Sequence, residues 1–116
     1  MDYYYNAIEK ISENVIDPHF FIFSNDIDWV KKNLDLYLNK LKYTFVDNSN
    51  IDDSSIADLY LMSRCKHHII ANSTFSWWGA WLNPSTDKVV IAPARWYVGE
   101  LNNSTVDLIP SNWIRL

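Results

Sequence analysis

The sequence predicts an α/β fold, a parallel sheet of about four strands with flanking helices, and three observations carry that expectation. Short apolar runs alternate along the chain with longer segments whose apolar residues recur at three and four positions. The runs Phe20-Phe21-Ile22-Phe23, His68-Ile69-Ile70-Ala71 and Val89-Val90-Ile91-Ala92 are continuously apolar, the pattern of strands covered on both faces. At 116 residues the chain suits one domain over residues 1–116, since domains run to about 100–150 residues.

The opening segment sets Tyr4, Ala7, Ile8, Ile11 and Val15 on one helical stripe, which Asp17-Pro18 ends. A strand over 19–23 follows. Ser24-Asn25-Asp26 offers capping side chains to a second helix, whose apolar positions are Ile27, Val30, Leu34, Leu38 and Leu41. A second strand is predicted over 43–46, then a polar loop over 47–53. The third helix, over 54–65, opens on a capping-box pattern, Ser55-x-x-Asp58. The third strand is predicted over 67–71. Asn72-Ser73-Thr74 caps a fourth helix that runs to Leu82 and stops at Asn83-Pro84. A fourth strand over 88–92 meets Pro93, and beyond Arg95 the periodicity fades.

Composition excludes several function classes. Six Trp and an aromatic fraction of 16% mark a folded chain, because large side chains offset the entropy lost on folding. The net charge of −4, with Lys and Arg scattered, argues against a nucleic-acid surface. The lone Cys65 fits a reducing, cytoplasmic setting. No signal-like opening and no run of about 18 apolar residues is present. Membrane association would have to come from other parts or partners. On this reading the sequons at Asn72 and Asn103 stay unmodified.

In an open parallel sheet, ligands bind beyond the carboxyl ends of the strands. Four loops lie there: 24–26, 47–53, 72–76 and 93–97. The third gathers Asn72, Ser73, Thr74 and Ser76 around a helix N-terminus, whose free N–H groups and dipole favour an anion. A diphosphate suits it, and so does a plain N-cap role for Ser73 or Thr74. Neither a dinucleotide G-x-G-x-x-G fingerprint nor a P-loop is present, so hydroxyls and helix N–H groups would do the binding.

The stretch His68-Ile69-Ile70-Ala71-Asn72-Ser73-Thr74-Phe75-Ser76-Trp77-Trp78-Gly79-Ala80-Trp81-Leu82 closely resembles the most characteristic segment of the family 11 fucosyltransferases. Asp58 to His67, Phe21 to Asp26 with Trp29, and Val90 to Pro93 with Trp96 continue the resemblance in order. It implies the Rossmann-like, donor-binding half of a GT-B fold. By resemblance the enzyme is an inverting α-1,2-fucosyltransferase that moves L-fucose from GDP-fucose to the 2-hydroxyl of a galactoside acceptor, with no metal and no other cofactor. The family's basic His-x-Arg-Arg-x-Asp-like segment has no counterpart, since only Arg64, Arg95 and Arg115 occur and no two are adjacent. A cation or strong donors must stabilise the leaving diphosphate. This chain alone is therefore expected to be an inactive fragment, and no catalytic base is assigned. The alternative is a non-enzymatic module that holds GDP or a GDP-sugar and acts with a partner chain.

The substrate-binding candidates are Asp58, Asn72, Ser73, Thr74, Ser76, Trp77 and Arg95, and each has a structural alternative. Asp58 could accept from the guanine N1–H and 2-amino group, or cap its helix. Trp77 could stack on guanine or sugar, or pack in the core with Trp78 and Trp81. Arg95 could meet a phosphate or stay solvated. His67 and His68 lack the i, i+4 spacing of metal ligands and read as residues that open a strand. Asp47, Asp52 and Asp53 read as a solvated loop.

Overall fold

The structure, a computed structural model, describes residues 2–47, 54–94 and 109–116. Its contacts divide the chain into two compact units, Met1–Asp58 and Leu59–Leu116. Among the described residues it is an α/β chain of four helices and short parallel strands. No helix among them is long and apolar enough to cross a membrane.

The first unit opens with α1 (Asp2–Asn14), where Ala7, Ile8 and Ile11 of the predicted stripe are buried. Asp17 adopts φ 55°, the left-handed region that Asp tolerates better than most residues, and the chain turns there into β1 (His19–Ile22). Asp26 caps α2 (Ile27–Leu38): its Oδ1 accepts the Trp29 N–H at 3.1 Å, and the Ser24 hydroxyl accepts the Asp26 N–H at 2.9 Å. β2 (Lys42–Phe45) then pairs in parallel with β1, His19 beside Lys42 and Ile22 beside Phe45. Val30, Leu34 and Leu38 form the core, with Tyr4, Tyr5, Ile22, Leu41 and Phe45 packed against it. That sheet has one covered face. Phe21 is 52% exposed and His19 is exposed, so the expectation that this apolar run is buried on both sides does not hold within this unit. The core residues of α2 meet Ile22 and Phe45, which share a register and hence a face.

The third helix, α3 (Ser54–Ser63), spans the boundary between the units and starts early enough that Ser55 lies inside it, not at its cap. In the second unit, β3 (His68–Ile69), β4 (Val90–Ala92) and β5 (Ile114–Arg115) form a parallel sheet in the order β3-β4-β5. The helix α4 (Thr74–Trp81) follows β3, with Ser73 as N-cap and Leu82 as C-cap, as the sequence predicts. β4 is central and all three of its residues are buried, so here the continuous apolar run does mean cover on both faces. Ile70, Ala80, Val90, Ala92, Ile109 and Trp113 make the core, and Trp77 packs against it. β5 was not predicted, because two residues give no period to read.

At Gly79 the lack of a side chain decides the packing. A Cβ there would stand 3.0 Å from both Cβ and Cε of Met62 on α3. Met62 Cε can swing away, but its Cβ is fixed to the backbone. An exposed helical Gly→Ala change would gain about 1 kcal/mol of helix propensity. Gly79→Ala should instead lower stability by about 1–2 kcal/mol through overpacking, read as a fall in urea midpoint at unchanged slope. A more stable variant would mean that the two helices separate freely.

Candidate functional site at the β3–α4 turn

The chain leaves β3 through Ile70 and Ala71 and enters α4 at the carboxyl end of the second unit's sheet. Ser73 sits in extended backbone, φ −131° and ψ 143°, as an N-cap should. Its Oγ accepts the Ser76 N–H at 3.1 Å, and its carbonyl accepts the Trp77 N–H at 3.0 Å. The Ser73 and Ser76 hydroxyls are 2.7 Å apart, and the Ser76 hydroxyl lies 3.0 Å from the Ala71 carbonyl and 3.1 Å from that of Ser73. A hydroxyl has one proton to give. One consistent assignment has Ser73 donating to Ser76 and Ser76 donating to Ala71, so the two hydroxyls stitch the turn to itself.

The site residues named from the sequence therefore separate. Ser76 is buried and its hydroxyl holds the turn. Asn72, Ser73 and Thr74 are exposed at the mouth of the helix. By helix geometry the first-turn N–H groups of Thr74 and Phe75 have no partner within α4 and point out of its end. Trp77 is half-buried against the core, stacked on Trp81 at 5.3 Å and 9° and edge-on to Trp78 at 4.9 Å. Its indole packs, while Trp78 and Trp81 remain 44% and 50% exposed. Asp58 belongs to α3 in the first unit, whereas the turn belongs to the second. Arg95, with Trp96 and the acidic Asp52 and Asp53, lies outside the described residues.

The other end of α4 is held by polar groups. The Lys88 ammonium donates to the carbonyls of Ala80 and Asn83, both at 2.8 Å, where the negative end of the helix dipole favours a cation. The Asn83 amide donates to the Cys65 carbonyl at 2.6 Å and lies 2.9 Å from Nε2 of buried His68. An amide N–H₂ can only donate, so His68 Nε2 accepts and the ring is neutral. Burial, then the nearby Lys88 and His67 charges, lower the His68 pKa to about 4. His67 Nδ1 accepts the Val89 N–H at 3.0 Å. Both histidines thus tie the start of β3 to its surroundings, as their spacing suggested. Among the described residues, no three His, Cys, Asp or Glu side chains are grouped as they would be to hold a metal ion.

Arg115 was missed by sequence reasoning. Its Nη2 donates to the carbonyl of Ala94 at 2.7 Å and reaches that of Pro93 at 3.3 Å, at the carboxyl end of the same sheet. An isolated Arg in a segment without periodicity gives no signal from which this placement could be read.

Comparisons with known proteins agree on one family. The profile described as glycosyl transferase family 11 matches residues 1–116. The O-antigen biosynthesis glycosyltransferase WbnK of Escherichia coli is 42% identical over 116 residues, which is 100% of this chain and 36% of the relative. An alpha-1,2-colitosyltransferase of Escherichia coli is 41% identical over 115 residues, 98% of this chain and 38% of the relative. Galactoside alpha-(1,2)-fucosyltransferase 2 of Mus musculus is 26% identical over 80 residues, 69% of this chain and 22% of the relative. The chain spans little more than a third of the length of the first two. No solved structure matches it significantly.

Proposed function

The chain belongs to glycosyl transferase family 11, and from that premise we propose that it binds the diphosphate of a nucleotide-sugar donor, GDP-fucose, at the β3–α4 turn. The observation that carries this reading is the turn itself. A capped helix N-terminus stands at the carboxyl end of a parallel sheet, where fixed N–H dipoles receive an anion without reorganising. Within this reading Asn72, Ser73 and Thr74 meet the diphosphate, and Ser76 and Trp77 hold the helix in place. From the sequence alone, Asp58 is the candidate acceptor for guanine and Arg95 a candidate phosphate contact. The reaction served is transfer of the fucosyl group to the 2-hydroxyl of a galactoside, without a metal ion, with the remaining catalytic groups supplied from outside these 116 residues.

Calorimetric titration tests it. The chain should bind GDP at least about tenfold more tightly than ADP, and Asp58→Asn should narrow that gap, because an amide cannot accept two donors as a carboxylate does. Replacing Asn72 and Thr74 together by Ala should cost about 1–3 kcal/mol of GDP binding. Both are exposed, so the fold should survive, whereas Ser76→Ala would damage the turn and confuse the reading. Equal binding of GDP and ADP would end the guanine assignment. Undiminished GDP affinity in the folded double variant would move the diphosphate elsewhere.

A further inference from the structure

We propose that Arg115 is a cation for the donor diphosphate, an assignment that rests on the donor-site reading above and names a residue which that reading leaves out. The argument is one of face and end. Arg115 is in register with Ala92 of β4, and neighbouring residues in register point to the same side of a sheet. Ala92 shares its core cluster with Ala80 of α4 and with Trp77, so the side on which Arg115 projects is the side that carries α4. Trp113, two residues before Arg115, confirms the face, because its ring lies 6.1 Å from that of Trp77.

The end follows from direction. From Trp113 the chain advances about 6–7 Å toward the carboxyl end of the sheet to reach Arg115. From Trp77, α4 runs back by one turn, about 5 Å toward the same end, to reach Ser73 and Thr74. The contact between Trp77 and Trp113 is thus the base from which both segments rise to one place. Positive charge is otherwise absent there among the described residues of this unit. Arg64 and Lys66 precede β3 and Lys88 precedes β4, so all three stand at the amino ends of the strands. The guanidinium is held in position by the Pro93 and Ala94 carbonyls, and the adjoining backbone is fixed by Ala94 N–H to Leu116 O at 2.7 Å and Leu116 N–H to Ala92 O at 3.0 Å. A cation held before the ligand arrives loses little entropy on binding it.

The test compares GDP with guanosine, which lacks the phosphates. Arg115→Gln keeps an amide donor on a shorter side chain but carries no charge. It should weaken GDP binding about tenfold or more and leave guanosine binding unchanged within twofold, while Arg115→Lys recovers part of the loss. Should Arg115→Gln fail to fold, Ala94→Asp places a carboxylate beside the guanidinium at an exposed position, with Ala94→Asn as its neutral match. Ala94→Asp should then lower GDP affinity selectively. A wild-type chain that binds GDP while Arg115→Gln, or failing that Ala94→Asp, binds it equally well overturns this assignment alone. A wild-type chain that does not bind GDP overturns the donor-site reading and this assignment with it.

Discussion

Replacing Trp113 by Ala should destabilise the chain by about 3–5 kcal/mol, the range for emptying a large aromatic from a packed core. Trp113 is only 6% exposed and shares its cluster with Ile70, Ala80, Val90, Ala92 and Ile109. Its loss removes the wall against which Trp77 and the central strand pack, and it loosens the short β5 that follows. Urea unfolding at neutral pH reads the effect, with Trp81→Ala as the control. Trp81 is half exposed and touches Trp77 from outside, so its removal should cost less than about 1.5 kcal/mol, the scale of an aromatic pair. Equal losses for the two variants would mean that Trp113 is not a core residue.

Acidification should remove about 3 kcal/mol through His68 alone. In the fold its pKa is lowered to about 4, and in the unfolded chain it is near the ordinary value of 6.5. Above pH 6.5 the imidazole is neutral in both states and its contribution is complete. As the pH falls from 6.5 toward 4 the unfolded chain takes up the proton first, so stability is lost across that window and no further below it. Protonation also puts a hydrogen on Nε2, which then faces the donating Asn83 amide and adds charge beside Lys88 and His67. The measurement is the difference in unfolding free energy between the wild-type chain and His68→Gln across pH 7 to 4. Gln offers a neutral acceptor that does not titrate, so the difference should shrink steadily as the pH falls. A difference that stays constant would mean that His68 takes up its proton in the fold as it does in the unfolded chain.

The parts of this molecule that could be read in advance are those where local chemistry and tertiary context agree. Ser73 caps α4 because a short hydroxyl side chain satisfies a helix N–H wherever it stands. Lys88 on the carbonyls of Ala80 and Asn83, by contrast, depends on where the chain returns after Pro84, which no local pattern encodes. The apolar runs at 20–23 and 90–92 look alike in sequence and differ in burial, since a run records how sticky a strand is and not how many neighbours it finds. In the candidate site, the residue types around the turn were legible and the division of labour was not. The Ser76 hydroxyl turns inward to Ala71 and Trp77 turns to Trp113, whereas Arg115 arrives from a strand too short to announce itself.

The strand pairings are evenly spaced along the chain. His19 meets Lys42, 42 − 19 = 23 residues later; His68 meets Val90, 90 − 68 = 22 later; and Ile91 meets Ile114, 114 − 91 = 23 later. Closing a loop costs entropy that grows only with the logarithm of its length, about 0.6 kcal/mol per doubling, so these closures are nearly equal in cost. Proximity in the chain therefore favours none of them as the first step of folding. The order is left to what each closure removes from water, and by that measure the pairs of the fully buried β4 lead, while the β1–β2 pair, with Phe21 still facing solvent, gains less from forming early.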